Sequence, residues 1–160
     1  MSELPGIGEM MPDIALETVD GGIVRPSDFA GHRAVLFFYP KDMTPGCTIE
    51  AVDFSALKPR FDAANTVLLG ISKDSGERHR KFAQKHGLTV QLATDAANDG
   101  LSDALGIWRE KQLYGKRFMG MIRTTILIGP EGRIERLWPA VKVKGHADEV
   151  LAAVLDGAGA

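Results

Sequence analysis

The chain reads as an α/β protein on a mostly parallel sheet, because short apolar runs of strand length alternate with longer stretches of helical character. Two of those runs, residues 35–39 and 66–72, are apolar enough to be buried strands, and a helix-length segment separates them. Strand, helix, strand is a βαβ unit. The third observation is the turn signal Gly129-Pro130-Glu131-Gly132 between two apolar-rich runs near the end. That pattern marks an antiparallel hairpin.

The elements follow in order. Ile14-Ala15-Leu16 and Ile23-Val24 flank Asp20-Gly21-Gly22, which predicts a small N-terminal hairpin. A strand over 34–39 leads into a helix over about 45–61, and the strand 66–72 follows. A second helix, 76–86, starts behind the capping residue Ser75 and is closed by Gly87. A short strand is expected near 89–93. The segment 96–121 shows only a short helical stretch around 101–105 before a Gly-, Lys- and Arg-rich run without period. It is expected to be irregular and exposed. Strands over 123–128 and 133–137 form the terminal hairpin, and a helix over about 147–155 closes the chain.

Composition narrows the function. At 160 residues, with 44% hydrophobic and 25% charged side chains, the sequence fits one globular domain spanning 1–160. Nineteen basic against 21 acidic side chains leave a net charge of −2, so nothing in the charge favours nucleic acid or an anionic membrane as partner. Met1-Ser2-Glu3-Leu4-Pro5-Gly6 has neither the basic start nor the apolar core of a signal peptide, and no apolar run reaches membrane-span length. A cytoplasmic location is expected. The lone cysteine agrees with a reducing compartment, excludes an intramolecular disulfide, and leaves four scattered histidines as the basis for any metal site, so none is expected.

That cysteine, Cys47, is the chemical centre of the sequence. Thr44 suits an N-cap and Pro45 the first helical position, which puts Cys47 in the first turn of the helix. Free N–H groups, including those of Gly46 and Cys47, and the positive end of the helix dipole favour a thiolate there. The sulfur is therefore expected to have a depressed pKa. Cys47, Ala51, Phe54 and Phe61 also recur near helical period, so the cysteine ends an apolar stripe and should sit half in core and half in a pocket. On its own, a single cysteine is more often a small buried hydrophobe than a nucleophile.

Pro40, Thr44 and Cys47 fit the pattern Pro-x-x-x-Thr-x-x-Cys of the peroxiredoxins. The wider string Tyr39-Pro40-Lys41-Asp42-Met43-Thr44-Pro45-Gly46-Cys47-Thr48-Ile49-Glu50 resembles the bacterioferritin comigratory protein (peroxiredoxin Q) subfamily, as do Met11-Pro12-Asp13-Ile14 and the run from Gly120 to Ile128. The resemblance implies a thioredoxin-like fold with a central mixed sheet flanked by helices and an N-terminal β-hairpin extension. It implies a thiol peroxidase acting on hydrogen peroxide and organic hydroperoxides through a Cys47 sulfenic acid, without a cofactor. Arg123 is then the cation at the sulfur, Glu50 orients it, Thr44 faces the peroxide, and Pro40 shapes and dries the pocket.

One departure changes the expected mechanism. Many members of the subfamily carry a second, resolving cysteine five residues after the first, where this chain has Val52. With no second thiol the sulfenic acid is left to an external one, supplied by thioredoxin, glutaredoxin or glutathione. A monomer or weak homodimer is expected. The same loss keeps open a redox-sensing or binding module whose oxidised Cys47 is glutathionylated or joined to a partner after a single turnover. A cysteine hydrolase would need a histidine base beside Cys47, which the local sequence does not supply.

Overall fold

The computed structural model describes residues 4–96 and 99–158. Met1, Ser2 and Glu3 of the N-terminal segment and Ala97 and Asn98 of the aperiodic segment lie outside the described residues. Strands β1 (Leu16–Thr18) and β2 (Ile23–Val24) form the expected hairpin, and a single 3-10 turn follows over Pro26–Phe29. Strand β3 (Arg33–Phe38), helix α1 (Pro45–Ala63) and strand β4 (Thr66–Ser72) make the βαβ unit, with β3 and β4 parallel. Helix α2 (Gly76–His86) starts on a hydrogen bond from Arg78 N to the Ser75 side chain and ends at Gly87, whose φ of 61° is the left-handed closure expected of a glycine. Strand β5 (Gln91–Thr94) then pairs parallel to β4, and the short helix α3 (Leu101–Ala104) follows.

The rest of the chain departs from the sequence reading in one place. Residues 108–121 are an antiparallel ribbon, β6 (Trp108–Leu113) and β7 (Lys116–Met121), rather than an irregular loop. Its turn is Tyr114-Gly115, both at positive φ (53° and 76°), as a two-residue hairpin requires. Both faces of most of the ribbon meet solvent, so the apolar alternation that normally betrays a strand is missing. Exposure was read correctly; irregularity was not. The terminal hairpin β8 (Thr124–Ile128) and β9 (Ile134–Trp138) and the helix α4 (His146–Ala158) complete the chain.

Seven strands form one sheet in the order β2-β1-β5-β4-β3-β8-β9. The expected predominance of parallel pairing is not met. Among the described residues only β3–β4 and β4–β5 are parallel, because both terminal hairpins dock antiparallel on the βαβ core, β1 on β5 and β8 on β3. The result is the mixed sheet of the thioredoxin-like fold.

Strand β3 shows how the sheet sorts its side chains. Ala34, Leu36 and Phe38 enter one apolar cluster with Leu69, Ile71, Leu101, Leu105 and Met121. Val35, Phe37 and Tyr39 enter the other, with Cys47, Ala51, Phe54 and Phe61 of α1, Phe82 of α2 and Val150 and Val154 of α4. The helix that carries Cys47 is thus fixed to the sheet by an aromatic stack, Phe37 on Phe54 at 4.5 Å between centroids. Pro59 lies inside α1 and has no N–H to give to the Ser55 carbonyl four residues back. Thr89 takes that place, its hydroxyl donating to Ser55 O at 3.2 Å, and the helix runs on to Ala63.

Gly70 makes room for this stack. A methyl group there would lie 2.7 Å from Phe37 Cζ and 2.9 Å from Leu92 Cδ2, both in the packed interior. Gly70→Ala is therefore expected to destabilise the protein by about 1–3 kcal/mol, read as a lower urea midpoint at unchanged slope.

Candidate active site

The site forms where β3 runs out. The chain leaves the sheet at Phe38, turns through residues 39–44, and enters α1 with Pro45, Gly46 and Cys47 as its first three helical residues. Helical geometry leaves the N–H groups of Gly46 and Cys47 without intrahelical acceptors, so the positive end of the helix faces the sulfur's neighbourhood. Thr44 occupies the N-cap position with extended backbone, as expected, but its side chain does not cap the helix. Its hydroxyl donates to Lys41 O at 2.8 Å and so braces the preceding turn. Pro40, half-buried, follows directly on the buried Tyr39.

Arg123 arrives from the other side through strand register. Strand β8 pairs antiparallel with β3, Thr124 opposite Phe38, so the residue before β8 lies beside the exit of β3. From there its guanidinium spans two groups on one face of α1. Nη2 donates to Cys47 Sγ at 3.2 Å and Nη1 donates to Glu50 Oε1 at 2.8 Å. Cys47 and Glu50 are three residues apart, which is the spacing that puts two side chains over one another on a helix. Gly46 lets the guanidinium approach, because a methyl group there would sit 3.1 Å from Arg123 Nη2.

The electrostatics of this trio follow from burial. Cys47 is 1% exposed and belongs to the apolar cluster under α1, which is deeper than the half-core, half-pocket setting expected from its place in the stripe. Desolvation pushes Glu50 up from 4.5 to about 7, with Arg123 pulling the other way, and Glu50 Oε2 has no hydrogen-bond partner among the described residues. Burial works against the Arg123 cation too, but Cys47 and Glu50 outweigh it and raise the guanidinium's pKa. Lys111 on β6 feels the same centre. Burial and then Arg123 lower its pKa, Cys47 opposes them, and its ammonium donates to Met121 O at 2.5 Å.

The structure thus brings Cys47, Glu50, Arg123 and Gly46 together and puts Thr44 and Pro40 in the turn that leads to them. The sequence carries no signal for Lys111, because the exposed strand that holds it lacks apolar alternation. None of the four histidines is a hydrogen-bond partner of the sulfur. His32 meets Asn65 Oδ1, His79 meets Tyr39, Asp42 and Ala93 O, His86 packs on Phe82, and His146 meets Thr125 Oγ1 at 2.8 Å. Val52, at the expected position of a resolving thiol, is 39% exposed and points away from the core that holds Cys47.

A thioredoxin-like sheet with a single cysteine in the first turn of the helix after β3, bonded to an arginine from the facing hairpin, defines a thiol-based redox protein. Known proteins agree. The AhpC/TSA family pattern matches residues 7–137. Peroxiredoxin Bcp of Bacillus subtilis is 44% identical over 150 residues, covering 94% of this chain and 95% of its own, and Peroxiredoxin Bcp of Xanthomonas campestris is 48% identical over 142 residues, covering 89% and 88%. Among solved structures, the Xanthomonas campestris bacterioferritin comigratory protein superposes with a TM-score of 0.86 at 42% identity, over 99% of this chain and 98% of its own. A Xylella fastidiosa PrxQ mutant gives 0.90 at 36% identity over 99% of both chains. The chain belongs to the AhpC/TSA family and, within it, to the Bcp (peroxiredoxin Q) peroxiredoxins, which are thiol peroxidases.

The Glu50 shift has a measurable consequence. A carboxyl that titrates higher folded than unfolded stabilises the fold fully below about pH 4.5, and that contribution fades as pH rises through about 7. A shift of this size corresponds to about 3 kcal/mol. The stability of wild type relative to Glu50→Gln should therefore fall by up to about 3 kcal/mol between pH 4.5 and 8, measured by urea unfolding at each pH. A pH-independent difference would show that Glu50 ionises normally.

Proposed function

We propose that this chain is a one-cysteine thiol peroxidase whose oxidised cysteine is reduced by an external thiol. The observation that carries this reading is the Arg123 guanidinium held between Cys47 Sγ and Glu50 Oε1 in a sequence with no second cysteine. The Cys47 thiolate attacks one peroxide oxygen, the O–O bond breaks, and the departing oxygen takes a proton to leave as water or an alcohol. Cys47 becomes a sulfenic acid. Two equivalents of an external thiol then return the thiolate, releasing water and forming the donor's disulfide.

Each residue has a part that its position supports. Arg123 favours negative charge on the sulfur and, as the O–O bond breaks, on the oxygen that leaves. Glu50 orients the guanidinium from the same helix face, and Gly46 gives it space while offering its own N–H. Thr44 presents its hydroxyl at the helix start, and Pro40 limits water at the turn. These roles extend the geometry above to a bound hydroperoxide.

Substrate and donor follow from chemistry and kinship. The Xanthomonas campestris relative is described for alkyl peroxide reduction, so organic hydroperoxides are proposed beside hydrogen peroxide. The Xanthomonas peroxiredoxin Q has also been solved with either of two cysteines replaced by serine, whereas Cys47 stands alone in this chain. Thioredoxin, glutaredoxin or glutathione would supply the electrons to a single-domain, cytoplasmic enzyme that is a monomer or weak homodimer. No helix among the described residues is long and apolar enough to cross a membrane.

The depth of Cys47 favours a second reading. A sulfur on a residue only 1% exposed is poorly placed for repeated attack by a bulky protein thiol, which suits a sensor whose oxidised Cys47 persists after one turnover or is capped by glutathione. Hydroperoxide consumption by wild type and Cys47→Ser, with dithiothreitol, glutathione plus glutaredoxin, or thioredoxin, separates the two. Sustained turnover that the substitution abolishes is expected; oxidation that stops after one equivalent with every donor would favour the sensor. Arg123→Ala should slow Cys47 oxidation on the order of 10²–10³-fold, measured as the second-order rate constant with peroxide. An unchanged constant would remove Arg123 from the chemistry.

A further inference from the structure

Beneath the turn that leads to Cys47 lies a second polar cluster, closed to solvent and outside the site just described. Asp42 and His79 both have side chains 0% exposed. Asp42 Oδ1 accepts the Tyr39 hydroxyl at 2.5 Å, and Oδ2 lies 2.7 Å from His79 Nδ1, an ion-pair contact whose alignment falls short of a hydrogen bond. The other ring nitrogen, Nε2, is 3.0 Å from the carbonyl oxygen of Ala93 on β5.

Counting protons on this cluster gives a definite answer. A carbonyl oxygen only accepts, so Nε2 must carry hydrogen to satisfy it. A neutral ring with its proton on Nε2 then turns the Nδ1 lone pair toward a carboxylate oxygen 2.7 Å away, and the Tyr39 hydroxyl, 3.3 Å from Nδ1, does not relieve this while its hydrogen goes to Asp42 Oδ1; the other neutral tautomer turns the Nε2 lone pair toward Ala93 O. Either arrangement sets acceptor against acceptor in a site without water access, where unpaired polar groups cost most. One more proton, held on Nδ1 or between Nδ1 and Asp42, removes the conflict. Tyr39 cannot be its source, because burial, and then the Asp42 charge, keep the phenol protonated well above its ordinary range.

The cluster also fixes the turn. The Asp42 N–H donates to Asp74 Oδ2 at 2.8 Å, and Asp74 is itself held by Ser72 Oγ and Arg78. Met43 follows with φ of 65°, a left-handed conformation that costs a non-glycine residue roughly 1–2 kcal/mol and persists only where its surroundings impose it. Thr44 is next. Asp20 and Arg80 line a surface cleft with His79 where α2 meets the N-terminal hairpin, and the buried Asp95, paired with Lys73, follows the end of β5, whose Ala93 carbonyl meets the ring.

We propose that Asp42 and His79 share an added proton through the neutral range, and that this buried pair holds the Pro40–Thr44 turn in place for the reaction at Cys47. His79 is then a positioning residue, acting through Asp42 and Tyr39. Its part in the chemistry rests on the peroxidase reading; the shared proton does not.

Long-range nitrogen–proton correlation spectra of the reduced wild type, from about pH 6 to 9, test the proton directly. Nε2 should carry hydrogen and Nδ1 should bind or share one at neutral pH; an Nδ1 that reads as a bare lone pair beside an Asp42 carboxyl carbon with the shift of an ionised group overturns the shared proton. Single-turnover oxidation of Cys47 by peroxide tests the role. Asp42→Asn and His79→Gln should each slow it on the order of tenfold to a hundredfold. The wild-type rate should also fall at alkaline pH with the midpoint seen for His79, and this limb should vanish in the double variant. Unchanged rates, or a limb at the His79 midpoint that persists in the double variant, overturn the positioning role; a limb at the Glu50 midpoint, about 7, belongs to the active site and is present in both. Should the variants fail to fold, the wild-type profile decides alone: the absence of a limb at the His79 midpoint overturns it. A wild type whose Cys47 resists peroxide removes the peroxidase reading, and the shared proton is then judged on the spectra alone.

Discussion

The structure around Cys47 depends on one constraint, that a half-buried guanidinium needs acceptors and finds them on two side chains of a single helix turn. Arg123 meets this with Cys47 Sγ and Glu50 Oε1, 3.2 and 2.8 Å away. Everything that aligns those three groups is a property of the fold. The β3–β8 register brings Arg123 to the exit of β3, the three-residue spacing on α1 stacks sulfur over carboxylate, and Gly46 leaves space between helix and cation. A shift of register by one residue would turn Arg123 to the other face of the sheet.

This arrangement balances unequal tendencies. Burial disfavours charge on Glu50 strongly enough to bring its titration to about 7, so the carboxylate is an anion of variable strength near neutral pH. When Glu50 is protonated, the sulfur is left as the other acceptor of the guanidinium. Lys111 adds a second positive charge held close to the same centre by its bond to Met121 O. A cationic surrounding that exceeds the fixed negative charge suits a reaction in which negative charge moves from sulfur to a departing oxygen.

Much of this was legible in the sequence, and the reasons are local. The βαβ unit and terminal hairpin announced themselves through apolar runs and Gly-Pro-Glu-Gly, and Thr44-Pro45-Gly46-Cys47 put the sulfur in a first helical turn before any fold was known. Arg123 was reached through family resemblance, since strand pairing, not sequence distance, brings it to the sulfur. What failed was reading exposed structure. The β6–β7 ribbon buries little, so its charged residues mimicked a loop, and Lys111 went unseen with it. The Thr44 hydroxyl also chose a different partner from the one its cap position suggests, because the Lys41 carbonyl lies closer to hand in the tight turn.

The last step concerns how a buried sulfur is reached. A resolving cysteine on the same helix must leave its own helical position to bond the first, because a five-residue offset points the two side chains roughly 140° apart. Here that position holds Val52, which faces solvent while Cys47 faces the core, so no covalent product within the chain pulls the first turn of α1 open. The Phe37–Phe54 stack ties α1 to the sheet, and the Asp42–His79 contact lies beneath the turn. On the proposed one-cysteine reading, access by the reducing thiol is governed by the intrinsic opening of the turn and the helix start rather than by disulfide strain. A small thiol needs less opening than a protein one, so on that reading the size of the donor, and not only its potential, sets turnover.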